Sequence, residues 1–497
     1  MRALALGAAL STHTWGQPRA RRLQISDAVG LMALWVLAAA LRLRALPLVM
    51  TLADSLGPWW VAARGWPETR PHAPPYGALL ALPHALVLPW VNSLWQAEAA
   101  LLVIHATVAP LGALLAAGLA RDRKAGRRAG VAVGALMAFD PGLVDTAISG
   151  AEAYGCAAWL GAAALAMRGT GAARTLMTAV AWVAAVHNHP LALAAAPLLG
   201  AGGLRRGAAP FTVGLLLLAP QLHTLATAAG MGAVGARPAS WVGTGTDSGL
   251  PGREAVEAVG KMLWGAARAW AAHGGPAAAL IALGAGVGLS HARTRRATAC
   301  STLALVGVAL LGASLGALRD HHLRVLSLPL AAGWAARPTL GVVLMALLLR
   351  PAADPLARPG AWSRPSTLGL THTMANAAQA ALAADLRPPL IDGLGMGGAP
   401  AAEPGGLVLD LRLRGWPLTV PTKDSDLMLI VTHPRDHAPP RPAQAQAVWT
   451  GPTAALWRLP RAEAAALRAA WPEALAGGAV DGLTLIDPQV DTARAAW

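Results

Sequence analysis

The chain reads as an α-helical polytopic membrane protein with a small α/β domain at its C-terminal end. Three observations carry that reading. Hydrophobic residues make up 55% of the 497 residues and charged residues only 13%, about half the roughly 25% charge usual in a soluble domain. Apolar runs recur from residue 27 to residue 351, at lengths near the roughly 20 residues that a helical crossing needs. From 352 onward short apolar runs alternate with Pro, Asp, D-G and G-G, which is the punctuation of strands and turns.

Residues 1–26 form a cytoplasmic N-terminal segment that carries Arg19, Arg21 and Arg22. No cleavable signal peptide is evident, so the first span reads as an uncleaved anchor. Spans are expected at 27–48, 97–120, 129–148, 151–167, 175–188, 190–203, 211–230, 275–292, 297–318, 323–336 and 338–351, about eleven crossings in all. Residues 187–190 are either a turn between two spans or a break within one longer helix. The membrane domain, 27–351, thus has two long outer loops, 49–96 and 231–274. In the tail, 352–497, helical patterns cover 373–387 and 461–475. The runs Leu407 to Leu413, Leu427 to Val431, Ala447 to Leu459 and Leu483 to Ile486 carry the strand signal.

The formal net charge is +15, yet the cations do not gather on one face as a nucleic-acid groove requires. They fall in clusters between spans, at Arg121 to Arg128, Arg205 and Arg206, and Arg293 to Arg296. That distribution follows the positive-inside rule with the N-terminus in the cytoplasm. It places both long loops and the tail on the outer face and excludes nucleic acid as the partner. Cys156 and Cys300 lie inside apolar runs and read as small buried hydrophobes.

The chemistry-bearing residues collect at the outer turns. Asp54 stands just past the first span in T-L-A-D-S-L-G-P-W-W, as a helix cap or a general base. His72 opens H-A-P-P-Y-G, whose prolines make a stiff turn holding His72 and Tyr76 together. Trp59, Trp60, Trp66, Trp90 and Trp95 suit an interfacial belt. F-D-P-G-L-V-D-T-A-I-S-G-A-E-A-Y-G sets Asp140, Asp145 and Glu152 near another outer turn, where acids are either solvated or functional. H-N-H-P brings His187 and His189, and R-D-H-H-L-R brings Arg319, His322 and Arg324. The latter serves as an interface anchor or as a phosphate clamp, since guanidinium matches phosphate bidentately. There is no nucleotide phosphate loop, serine nucleophile elbow or zinc-protease helix. No specific cofactor is called for, and the residues are compatible with a divalent metal.

In order, these parts resemble the GT-C superfamily of membrane glycosyltransferases, of the protein O-mannosyltransferase and aminoarabinose-transferase type. The counterparts are Arg42 or Arg44 at the end of the first span, Asp54 in the first outer loop, and H-A-P-P-Y-G from His72 to Gly77. There follow the inner loop R-D-R-K-A-G-R-R, F-D-P, a turn ending at Tyr154, H-N-H-P and R-D-H-H-L-R-V-L-S-L-P-L. Two positions depart from the family pattern. Ser55 stands where a second acid often follows, and Glu152 stands where an arginine usually precedes the tyrosine.

The resemblance implies sugar transfer from a polyprenyl-phosphate donor to a protein, glycan or lipid acceptor at the outer face of the bacterial inner membrane. It implies Asp54 as base, Arg42 or Arg44, Arg319 and Arg324 as phosphate ligands, and His72 and Tyr76 as pocket walls. Asp145 or Glu152 would position donor or acceptor, with His187, His189 and His322 lining the same face. A transporter or flippase for a lipid-linked substrate, or a non-catalytic scaffold, is the alternative.

Overall fold

The computed structural model describes residues 25–49, 51, 58–59, 62, 78–148, 152–169, 171–230, 252–314, 318–349, 368–382, 390–395, 402–415, 427–433, 446–450 and 455–460. Helix dominates these residues. The first helix, α1 (Ile25–Arg44), has Asp27 in its first turn and Arg42 and Arg44 in its last, each sign at the end where the helix dipole favours it. Further along, the chain folds as a 3-10 turn (Ala78–Leu80), α2 (Leu82–Val87) and another 3-10 turn (Leu88–Trp90). Pro83 and Pro89 each open one of these pieces, a position that tolerates proline but keeps the segment from becoming one helix.

Helices α3 (Leu94–His105) and α4 (Val108–Leu119) follow almost without interruption. The next pair, α5 (Arg123–Phe139) and α6 (Pro141–Ile148), meets at Asp140 with a bend of 48°. Asp122 caps α5 by accepting the Ala125 amide at 2.8 Å. Then come α7 (Glu152–Ala166) and α8 (Gly171–Asn188). His189 is extended (φ −153°, ψ 124°), and beyond it Pro190–Gly202 winds as a 3-10 helix. Residues 187–190 are therefore a break at which the chain changes helix type.

Helix α9 (Leu204–Gly230) is followed by α10 (Gly252–Ser290), which kinks at Gly275 ahead of Pro276. The second half of the expected loop 231–274 is thus helical. Next stand α11 (Ala292–Ser314), α12 (Asp320–Leu323), α13 (Ser327–Ala331) and α14 (Pro338–Leu348). The expected single span 323–336 is instead a run of short α and 3-10 turns, Leu323 to Ala336. Its backbone approaches α10 closely at Gly333, where any Cβ would overlap the Gly284 carbonyl, so the segment is shaped by packing between helices.

Among the described residues three helical stretches are long and apolar enough to cross a membrane: Leu94–Leu119, Val256–Ser290 and Ala292–Ser314. The bent pair α5–α6 makes a fourth if it counts as one crossing. Shorter apolar helices (Tyr154–Ala166, Pro190–Gly202, Arg206–Pro220 and Pro338–Leu348) pack among them. The Ala-rich sequence lets helices approach closely: a Cβ at Gly126 of α5 would lie 3.0 Å from the Ala117 carbonyl of α4. Large apolar side chains such as Leu216, Leu303 and Leu347 face outward, which suits lipid contact.

The tail contains α15 (Leu368–Leu382), α16 (Ala402–Leu413) and a four-stranded sheet of order β1-β2-β4-β3. Strand β1 (Leu390–Gly395) runs parallel to β2 (Leu427–His433). Strand β4 (Ala455–Pro460) lies antiparallel to both β2 and β3 (Gln446–Thr450). One expectation needs correcting. The run Leu407 to Leu413 belongs to α16 and not to a strand: Leu407 and Leu411, four residues apart, are buried together on its inner face. The helical pattern at 461–475 and the run Leu483 to Ile486 lie outside the described residues.

Candidate active site

A layer of buried polar groups crosses the helical bundle where α5 bends into α6. Arg42 and Arg324 are 0% and 1% exposed, and Asp140 is 0% exposed. Charges at that depth persist only with partners. The Arg42 Nε donates to the Tyr154 hydroxyl at 3.0 Å, while its Nη atoms donate to the Ala38 and Met137 carbonyls at 3.0 and 3.3 Å. The Tyr154 hydroxyl in turn donates to the His105 carbonyl at 2.6 Å, and the two rings lie 4.5 Å apart. Arg42 and Tyr154, far apart in the chain and named separately by their motifs, are thus direct partners.

Asp140 lies on the same bend, one turn from the carbonyl that Arg42 binds. Its Oδ1 accepts the Gly142 amide at 2.9 Å and faces the Arg324 Nη1 at 3.5 Å. Arg324 also donates to the Trp270 carbonyl of α10 at 3.2 Å. A Cβ on Gly142 would overlap the guanidinium, so a side chain there would displace Arg324 from this position. Just outside, Asp320 is held by His273 at 2.8 Å, with His321 at 3.9 Å and Arg324 at 4.0 Å. Burial alone would raise the Asp320 carboxyl. The His273 hydrogen bond and the surrounding cations overcome it and hold the group below the usual carboxylate range.

The two histidine motifs also converge. His189 and His322 have ring centroids 4.5 Å apart, and His321 stands 4.2 Å from His322. The His322 Nδ1 accepts the Arg319 amide at 3.0 Å and closes the start of α12. The His187 Nδ1 accepts the Leu79 amide at 3.3 Å and ties the Ala78–Leu80 turn to the break after α8. Among the described residues no three His, Cys, Asp or Glu side chains gather as a metal site.

The remaining expected residues are placed as follows. Arg44 and Arg319 are exposed at their helix ends, and Asp145 is half-buried in α6. Glu152 opens α7. Asp54, His72 and Tyr76 lie outside the described residues. Arg42 and Arg324 are buried, and part of their donor set meets protein acceptors.

Sequence reasoning missed one cluster. Glu98 of α3, buried in an apolar helix, accepts the Trp59 indole N–H at 2.6 Å. Trp59 meets His84 edge-on at 4.5 Å, and burial pushes the His84 imidazole down to about 4, so that it is neutral. The available signal was an isolated acid inside an expected span. An open groove of about 680 Å³ along Ala279, Leu283, Gly286 and Val287 is apolar and touches none of these groups.

No family model matches the sequence, and no characterised protein matches it by sequence. Solved structures do match its fold. The crystal structure of ArnT from Cupriavidus metallidurans bound to undecaprenyl phosphate superposes with a TM-score of 0.51 at 14% identity, covering 87% of this chain and 98% of that one. The same protein in the apo state gives 0.50 at 15% identity, covering 88% and 99%. The chain therefore has the fold of these ArnT structures, as the ordered motifs resembling GT-C transferases imply.

Proposed function

We propose that this chain is an integral membrane glycosyltransferase that moves a sugar from a polyprenyl-phosphate donor to an acceptor at the outer face of the bacterial inner membrane. The observation that carries the reading is the fold shared along most of the chain with an ArnT structure bound to undecaprenyl phosphate. The polar layer adds to it. The R-D-H-H-L-R, F-D-P and H-N-H-P motifs meet at one end of the bundle, where a donor phosphate would need cations.

In this reading the N-terminus is cytoplasmic, the chain crosses about eleven times, and the tail is extracytoplasmic. The Asp54 carboxylate takes the proton of an acceptor hydroxyl. That oxygen attacks the anomeric carbon as the bond from carbon to phosphate oxygen breaks, and polyprenyl phosphate leaves with the electron pair. Arg44 and Arg319 meet the departing phosphate. Arg42 and Arg324 add their positive charge to the same phosphate site. His72 and Tyr76 shape the pocket beside Asp54, His187, His189 and His322 line it, and Asp145 or Glu152 orients a sugar hydroxyl.

The test is transfer from polyprenyl-phosphate-linked sugars by the purified protein and by Asp54→Asn. Loss of a general base is expected to slow transfer by about 10²–10⁴-fold in a variant that remains folded. Unchanged transfer would remove Asp54 from the reaction.

A further inference from the structure

The tail helices touch the membrane domain at both ends of the outer loop 49–96. At the loop's entry the Leu368 amide, at the start of α15, donates to the Val49 carbonyl at 2.8 Å. The buried hydroxyls of Thr51 and Thr371 lie 3.1 Å apart. At the loop's exit the Asp410 Oδ1 of α16 accepts the Leu94 amide at 2.7 Å. Leu94 is the first residue of α3, and both it and Asp410 are 0% exposed. The first amides of a helix have no partner within it and favour a negative group. Ser93 already accepts the Gln96 amide, and Asp410 supplies the acceptor for Leu94, which burial cuts off from water. The other oxygen of Asp410 accepts from Arg414 at 2.9 Å.

One turn below this cap, α3 carries Glu98, which holds Trp59 inside the same loop. The loop is therefore fastened at its entry, at Trp59 and at its exit. Two of these three fastenings depend directly on the tail.

We propose that the C-terminal domain is a clamp on loop 49–96, with Asp410 and the Thr51–Thr371 pair as its two latches, and that through this loop it positions the reacting groups. Asp410 is thus a positioning residue. Only the last clause rests on the glycosyltransferase reading.

Hydrogen exchange on the full-length protein in detergent micelles, run beside transfer kinetics, tests both parts. Asp410→Ala is expected to raise exchange at residues 94–97 by about tenfold or more, since it removes a buried acceptor. Asp410→Asn, which keeps an acceptor oxygen, is expected to fall between it and the parent. If Asp410→Ala does not fold, Thr371→Val tests the other latch without a charge change, by raised exchange at 46–51. In transfer, Asp410→Ala is expected to lower kcat by roughly ten- to a hundredfold through misplacement, with the donor KM little changed. In the Asp410→Ala background, closing the other latch covalently by Thr51→Cys with Thr371→Cys is expected to restore part of kcat when oxidised and lose it again on reduction.

Unchanged exchange at both loop ends overturns the clamp. Raised exchange with unchanged kcat overturns its positioning role. Protected loop ends in a parent protein that transfers no sugar uphold the clamp and count against the glycosyltransferase reading alone.

Discussion

The two ends of α5 carry the same kind of ion pair in opposite surroundings. Near its start, Arg123 and Arg127 bind Asp27 of α1 at 2.8 and 2.7 Å, with arginine side chains 40% and 50% exposed. Past its end, Asp140 faces Arg324 at 3.5 Å with both groups cut off from solvent. The shorter bonds are the weaker contributors. At the exposed end water and salt compete for every charge, so the pairs mark topology and little else. At the buried end removing either partner leaves the other with no solvent to turn to. Burial, more than distance, is therefore expected to set the cost of losing one partner.

Arg324→Ala tests this contrast most severely. It leaves the Asp140 carboxylate uncompensated and is expected to cost about 3–5 kcal/mol, read as a lower unfolding midpoint in detergent. Adding Asp140→Asn should recover part of that loss. A cost for Arg324→Ala as small as that of an exposed pair would erase the distinction. Tyr154→Phe removes one neutral hydroxyl between Arg42 and the His105 carbonyl, and about 1–3 kcal/mol is expected for the orphaned buried groups. Asp27→Asn breaks both exposed pairs at once, yet no more than about 1 kcal/mol is expected. That difference should shrink further in high salt. A larger effect at Asp27 than at Tyr154 would show that solvent exposure does not govern these bonds.

The helices were readable from the chain because apolar length and punctuating Pro, Gly and charge are local properties. The span expected at 275–292 begins at the Gly275 kink, and the one at 129–148 contains the bend at Asp140. The segment 323–336 has the composition of a span, while its winding into short α and 3-10 turns follows its contact with α10. The short apolar run Leu407 to Leu413 between turn signals pointed to a strand. Its docking against Thr371 and Thr51 through Gly406 is a tertiary contact that no local pattern encodes.

For the site, the sequence offered the motifs but not their pairing. Arg42 with Tyr154, Arg324 with Asp140 and His189 with His322 become partners only when the helices pack. Burial of Arg42 and Arg324 was hidden for the same reason, because the groups that satisfy them are mostly backbone carbonyls. Glu98 went unnoticed because one acid barely lowers the hydropathy of an Ala- and Leu-rich run.

The kink in α10 has a consequence for the arginine beneath it. Gly275 has φ 51° and ψ −133°, and a Cβ there would meet nothing within 4 Å. Space therefore permits a side chain while the backbone angle opposes one, at a cost on the order of 1–3 kcal/mol. Pro276 offers no amide to the turn before it, so the joint is not held by an ordinary helical hydrogen bond from that residue. The arm from Gly252 to Gly274 packs against α11 and α12 through Val259, Met262, Leu263 and Ala266, and five residues before the kink it carries the Trp270 carbonyl that Arg324 binds. The angle at one glycine therefore helps to fix where a buried guanidinium finds an acceptor on another helix.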